Sequence, residues 1–356
     1  MSFGLAFDPT VRPVSGDSLQ RARSHLDRLT KPPGSLGLLE DWMARFAAIH
    51  DPLPPRLEKK TVFVFAADHG VTAEGVSAYP PEVTWQMVLN FLQGGAAINV
   101  LARQAGAEVL VVDMGVNHEF PSSPGLIDHK VGPGTGNFLR ETAMTPEQGR
   151  QAIETGYTLG RQWCGQGADI LVAGDMGIGN TTAAAAILAV MGRKRAEEVT
   201  GSGTGLDQTA LARKVDVIDR ALQIHAPNPE DPLDVLVKVG GFEIGGIAGL
   251  ILGAASRGRP VLVDGLISGA GAVLAAGLEP GVRDYLFMGH RSAEPGSQVI
   301  LDRLGRRPLL DWGMRLGEGS GAVLALMMLE AGVRLYNEMA TFGKAGVAEK
   351  GGGPEA

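Results

Sequence analysis

Asp169-Ile170-Leu171-Val172-Ala173, then Gly174-Asp175-Met176-Gly177-Ile178-Gly179-Asn180-Thr181-Thr182, then the Ala-rich run Ala183 to Met191, is the stretch that sets the fold class. An apolar β-prone run, a Gly-rich polar turn and a helix-forming run in that order make a strand–loop–helix unit. Working outward, short apolar or β-branched runs recur at Thr61 to Ala66, Glu108 to Val112, Pro260 to Val263 and Asp284 to Met288, each leading into a helix-like stretch. Such alternation belongs to a parallel sheet wound on both faces. The expected fold is α/β, with a doubly wound, mostly parallel, Rossmann-like sheet.

Upstream of the first run, the pattern from Asp17 to His50 predicts two helices separated by Lys31-Pro32-Pro33-Gly34, with Ser35 as N-cap of the second. The Pro-rich link Pro52 to Pro55 ends this N-terminal part, which we delimit as residues 1–55. Val239 to Ser256 is the most apolar segment, but Glu243 interrupts it and the remainder is too short for a bilayer, so it is expected to be a buried helix. Met1 to Arg12 lacks the pattern of an export signal.

Composition excludes several classes. The chain has 356 residues, a net charge of −7 and no basic run beyond Arg193-Lys194-Arg195, which argues against a nucleic-acid partner. Cys164 is the only cysteine, so neither a disulfide framework nor a thiolate metal cluster is available, as suits a reducing cytoplasm. The seven histidines form no HExxH or comparable ligand pattern, and no metal site is expected.

Ligands of such sheets bind beyond the carboxyl ends of the strands. Asp68-His69-Gly70, Asp113-Met114-Gly115, Gly174 to Gly177, Asp264-Gly265 and Gly289-His290-Arg291-Ser292 all stand there. Any one of these is ordinary turn chemistry; all together they predict one functional rim. The Gly174 to Thr182 loop is suited to cradle an anion at a helix N-terminus, although Asn180 or Thr181 would also serve as a plain cap. Thr200 to Gly205 precedes a helix whose Lys214, by position, reads as a surface charge. His290 and Arg291 indicate an anion site, whereas Glu294 fits a first-turn helix acid. Gly317-Glu318-Gly319-Ser320-Gly321-Ala322 is a poor dinucleotide fingerprint, because a carboxylate sits between the first two glycines. Glu318 is either a proton-abstracting acid or another first-turn helix acid, and the local motif does not choose. An internal echo also stands out: Asp113-Met114-Gly115-Val116 is followed by Gly134-Thr135-Gly136, and Asp175-Met176-Gly177-Ile178 by Gly203-Thr204-Gly205.

Taken in order, Lys31 to Gly37, Ala67 to Val71, Asp175 to Thr182, Gly289 to Glu294 and Glu318 to Gly321 resemble the nicotinate-nucleotide:dimethylbenzimidazole phosphoribosyltransferases. That family makes the lower nucleotide loop of cobalamin. The resemblance implies a large catalytic domain at 56–325 and a small helical domain formed by 1–55 with the C-terminal 326–356. It implies a homodimer whose partner helps complete each site, small-molecule substrates, and no cofactor. Glu318 would be the general base. Ser77, Tyr79, Gln86 and Met87 would help to wall the benzimidazole pocket. The Gly-rich loops, with Gly179, Asn180, Thr181, Gly203 and Thr204, and Ser292 would hold the ribose phosphate, with Asp175, Gly177 and Lys214 near the nicotinate; Asp264, Arg291 and Leu316 would also bind substrate. Asp175 stands where many of the family carry glutamate, which shortens its reach by one methylene. Two readings compete: a nicotinamide-dependent oxidoreductase, disfavoured by the missing fingerprint after the first strand, and a non-catalytic nucleotide-binding regulator.

Overall fold

The computed structural model describes residues 4–8, 10–203 and 205–348. Its centre is one parallel sheet of six strands: β1 (Lys60–Ala67), β2 (Glu108–Gly115), β3 (Leu126–Asp128), β4 (Ile170–Met176), β5 (Val261–Val263) and β6 (Leu286–Met288), in the order β3-β2-β1-β4-β5-β6. Five of these are the strands expected from the sequence; β3 is an addition, a short edge strand entered through Gly125 at φ +84°. The order reverses beside β1, so the crevice of a doubly wound sheet opens between β1 and β4.

Side chains alternate across the sheet as the period of two requires. Phe63, Phe65, Leu171 and Ala173 enter a core covered by the helices Pro146–Gly165, Asn180–Gly192, Phe242–Ser256 and Leu266–Leu278. Val62, Val64, Val172 and Phe287 face the other core, under Leu38–His50, Val83–Leu92, Ala97–Ala105 and Ser320–Glu338. Phe242–Ser256 is buried along its length, as predicted, and lies so close to Pro146–Gly165 that a Cβ on Gly156 or Gly249 would meet backbone of the other helix. No helix among the described residues is long and apolar enough to cross a membrane.

The first predicted pair of helices forms as Gly16–Asp27 and Leu38–His50. Ser35 does not cap the second, however: Gly37, at φ +57°, is its N-cap, and Glu40 from the first turn accepts the N–H groups of Gly34 and Leu36 at 3.2 and 3.0 Å. Glu40 also pairs with buried Lys31 at 2.8 Å, so the Lys31 to Gly37 turn is held by charge rather than by a serine cap. The final long helix, Ser320–Glu338, is continuous through residues 325 and 326; towards and beyond its end, Leu335, Tyr336 and Met339 pack on Ala22, Leu26 and Met43.

Candidate active site

The carboxyl ends of β4, β5 and β6 surround a cavity of about 380 Å³. Its polar side is built by Asp175, Gly177, Asn180, Thr181, Gly203, Gly265, His290, Ser292, Glu294 and Arg315, and its apolar side by Tyr79, Val83, Met87, Met176, Ile178, Leu266, Ile267 and Leu316, with Glu318 between them.

Glu318 is 6% exposed and has φ +64°, between Gly317 at +87° and Gly319 at +90°. Only residues without a Cβ tolerate such angles readily, so a glutamate here must be held by its surroundings. Three contacts do so. Gly174 lets strand β4 pass directly against the Glu318 carbonyl, where a Cβ would collide. Asp264, fully buried, accepts N–H from Ala322 at 2.8 Å and Gly319 at 3.3 Å and so clamps the turn. The Ile98 N–H, in the first turn of Ala97–Ala105, donates to Glu318 Oε2 at 3.1 Å. Burial pushes the Glu318 carboxyl above its usual range, the Ile98 N–H opposes this, and the charge of Asp264 adds to it. The turn precedes the helix, which begins at Ser320 with Gly319 as its N-cap, so Glu318 is not a first-turn helix acid.

Across the cavity, Asp175 is 6% exposed and raised well above the ordinary carboxylate range, first by burial and then by Asp264 and Glu243, although the Asn180 amide donates to it at 3.1 Å. Gly179, at φ +94°, is the N-cap of Asn180–Gly192; neither Asn180 nor Thr181 is. Thr181 instead bonds Lys214 at 2.8 Å. Lys214 is 1% exposed and its Nζ also reaches the Gly201 carbonyl at 3.3 Å, which overturns the surface reading taken from its position alone. Burial lowers its pKa to about 8 against the opposing charge of Glu294.

Glu294 likewise departs from expectation. It lies before the helix Gly296–Leu304, is 6% exposed, and accepts the Gly203 N–H at 3.0 Å, tying the 201–203 loop to the end of β6. His290 lines the cavity with Nε2 3.5 Å from Asp264 Oδ1; burial disfavours its charged form, but the bond and charge of Asp264 outweigh that and raise its pKa.

The structure thus brings Tyr79, Met87, Asp175, Gly177, Asn180, Thr181, Gly203, Ser292, Leu316 and Glu318 to one cavity. It does not bring the rest of the expected set to the cavity wall. Arg291 points outward, its side chain 48% exposed and 3.9 Å from Asp311. Asp264 lies behind the wall, occupied by backbone N–H groups. Gln86 is exposed, and Ser77 accepts the Tyr79 N–H at 3.2 Å; neither is among the residues that line the cavity. Gly179 and Lys214 stand one layer back, and Thr204 lies outside the described residues. Arg315, which sequence reasoning missed, enters the wall and donates to the Gly203 carbonyl at 2.5 Å. No group of three or more His, Cys, Asp or Glu side chains among the described residues is arranged to hold a metal.

A doubly wound sheet with an acid facing an anion cradle suits a transferase acting on a nucleotide, and the family model described as Phosphoribosyltransferase matches residues 11–347. The chain is 54% identical over 337 residues to the nicotinate-nucleotide–dimethylbenzimidazole phosphoribosyltransferase of Geobacter sp. (strain M21), covering 95% of this chain and 97% of that one. It is also 54% identical, over 340 residues, to the protein of the same name from Chloroflexus aggregans, covering 96% of each. The crystal structure of the Thermus thermophilus protein of that name superposes with a TM-score of 0.89 at 48% identity, covering 94% of this chain and 100% of that one. The chain belongs to the nicotinate-nucleotide:dimethylbenzimidazole phosphoribosyltransferase family.

Proposed function

We propose that the protein transfers the 5-phosphoribosyl group of nicotinate mononucleotide to 5,6-dimethylbenzimidazole, giving α-ribazole 5′-phosphate and nicotinate for the nucleotide loop of cobalamin. The carrying observation is a buried carboxyl, Glu318, with a raised pKa, facing an apolar wall on one side and a Gly-rich cradle on the other. In nicotinate mononucleotide the base is a pyridinium, so cleavage of the C1′–N bond returns the electron pair to nitrogen and releases nicotinate with a neutral ring. The incoming ring nitrogen forms the new C1′–N bond as its other nitrogen gives a proton to Glu318. Attack opposite the leaving group converts the β-glycoside to the α-glycoside, and holding the two rings in line contributes much of the rate.

In this reading Tyr79, Met87 and Leu316 flank the flat base. Thr181, Gly203 and Ser292 serve the ribose phosphate, and Asp175, with Lys214 behind Thr181, serves the nicotinate side. Asp264 acts by holding the Glu318 turn. We place the protein in the cytoplasm as a homodimer: Tyr79, Trp312 and Leu316 are 52%, 63% and 57% exposed, and two of them border the cavity, a suitable seat for a partner subunit. Incubation with nicotinate mononucleotide and 5,6-dimethylbenzimidazole should release nicotinate and α-ribazole 5′-phosphate in equal amounts. Absence of nicotinate release would reject the assignment.

A further inference from the structure

Gly321 closes the Glu318 to Gly321 motif, and its backbone does not explain why it is glycine. It lies in the first turn of Ser320–Glu338 and is not among the residues with positive φ, so its conformation is open to any side chain. What excludes one is His290: a Cβ on Gly321 would overlap Cδ2, Cγ and Nε2 of the imidazole. A Cβ on Gly265, just past β5, would come within 3.1 Å of the same Nε2. The ring fills a slot lined by these two glycines, and the residue is 3% exposed. Its backbone is fixed as well. His290 is bridged to Leu310, whose N–H donates to the Gly289 carbonyl at 3.1 Å and whose carbonyl accepts the Arg291 N–H at 2.8 Å.

The slot delivers the ring to Asp264. Nε2 stands 3.5 Å from Asp264 Oδ1, the oxygen that accepts the Ala322 N–H, while Oδ2 accepts the Gly319 N–H. Asp264 is fully buried, and among the described residues His290 is the one side chain that pairs with it. A buried carboxylate without a counter-charge is strongly disfavoured, and two backbone N–H groups supply only partial charge. Burial disfavours the imidazolium, but Asp264, the Arg291 backbone and Asp311 all favour it and prevail, so the pKa of His290 is raised. The other charged groups nearby do not take its place. Arg291 turns outward towards Asp311, and Asp175, Glu294, Arg315 and Glu318 line the cavity that His290 borders.

We infer that His290 is a positioning residue for Glu318, acting through Asp264: its imidazolium is the counter-charge that keeps the Asp264 carboxylate on the N–H groups of Gly319 and Ala322, and so holds the Glu318 turn at the cavity. The inference rests on the reading of Glu318 as the base. In this role His290 touches no reacting atom, and what it supplies is charge. The imidazolium is present below the folded pKa of His290 and lost as pH rises through it. Turnover at saturating substrate therefore falls on the alkaline side, while affinity for the substrates holds.

Steady-state kinetics against pH test this on His290→Gln, which keeps a hydrogen-bond donor and cannot carry charge. With nicotinate mononucleotide and 5,6-dimethylbenzimidazole, kcat should fall roughly tenfold or more while both KM values stay within about threefold. The alkaline decline in kcat of the unaltered protein should be absent from the variant. Lys214 also titrates, at about 8, so Lys214→Met is measured alongside and should keep that decline. An unchanged kcat in His290→Gln, or an alkaline decline that persists there, overturns the inference. NMR titration of the imidazoles reads the same coupling without turnover and without that variant. His290 should titrate above the ordinary histidine range in the unaltered protein, and lower by about one pH unit or more in Asp264→Asn. The same titration point in both proteins overturns the inference. A protein that releases no nicotinate refutes the proposed function instead, a result that leaves the titration of His290 to be judged on its own.

Discussion

Asp264→Ala removes a side chain that does not itself line the cavity, yet the loss should be felt in both stability and rate. Its carboxylate accepts two backbone N–H groups, at 2.8 Å from Ala322 and 3.3 Å from Gly319, within the buried turn. Hydrogen bonds to a charged group contribute about 1.5–3 kcal/mol each. With the longer bond at the low end, the substitution should destabilise by about 3–5 kcal/mol. Unfolding entropy scales with length and is about 0.75 kcal/mol/K for a chain of this size, so the melting temperature should fall by about 4–7 °C. Freed from Gly319 N–H, the strained Glu318 turn at φ +64° relaxes, and a shift near 1 Å in a catalytic group lowers turnover on the order of 100-fold. Scanning calorimetry and steady-state kinetics check this together, with KM for nicotinate mononucleotide expected to stay within about threefold. A variant with unchanged melting temperature and a raised KM would return Asp264 to the role of substrate ligand and refute the clamp.

Gly174→Ala, with a Cβ driven onto the Glu318 carbonyl, should cut turnover at least tenfold although position 174 touches no substrate; unaltered kinetics would show that the turn has slack. Lys214→Met should weaken nicotinate mononucleotide binding roughly tenfold by calorimetry while the melting temperature at pH 7 holds, because it removes an ammonium whose burial is disfavoured; a large loss of stability without loss of affinity would make the lysine structural. Asp68, Asp113, Asp175 and Glu318 hold protons more tightly folded than unfolded, so from the ordinary carboxylate range up to their raised values the folded state binds more protons and stability falls as pH rises. His69 and His290, raised by Glu243 and Asp264 despite burial, act in the same direction: their contribution is complete below the usual histidine range and lost above the folded values. His50 and Lys214, both lowered by burial, act the other way, but the six raised groups outnumber them, so melting temperature should decline from about pH 5 to pH 8, and a steady rise across that interval would contradict these assignments.

The sheet is legible in the sequence because its buried strands are continuous apolar runs closed by Asp and Gly, as at Ile170–Met176. Edge strand β3 is not: three residues reached through a glycine and followed by a loop carry no periodic signal. Lys214 reads as a surface charge by position, although it shares a helical stripe with Val217, Ile218 and Ala221, a spacing that marks the buried face. Arg291 and His290 are separated only by the structure, yet burial alternates through His290, Ser292 and Glu294 as in an extended chain, which turns Arg291 outward. Arg315 has no such signal, since its place depends on a loop folding back to the 201–203 backbone. The roles of Asp264 and Gly174 are hidden for the same reason: both act on residue 318, distant in sequence and adjacent in space.

Glu318→Gln keeps the shape of the side chain and removes its capacity to take a proton, so its single-turnover rate with saturating nicotinate mononucleotide and 5,6-dimethylbenzimidazole is the most direct measurement. General-base loss lowers rates by about 100- to 10,000-fold. The expected result is a decline in that range, with nucleotide affinity within about threefold of the unaltered protein. A rate within a few-fold of the original would contradict a proton-accepting carboxylate at position 318.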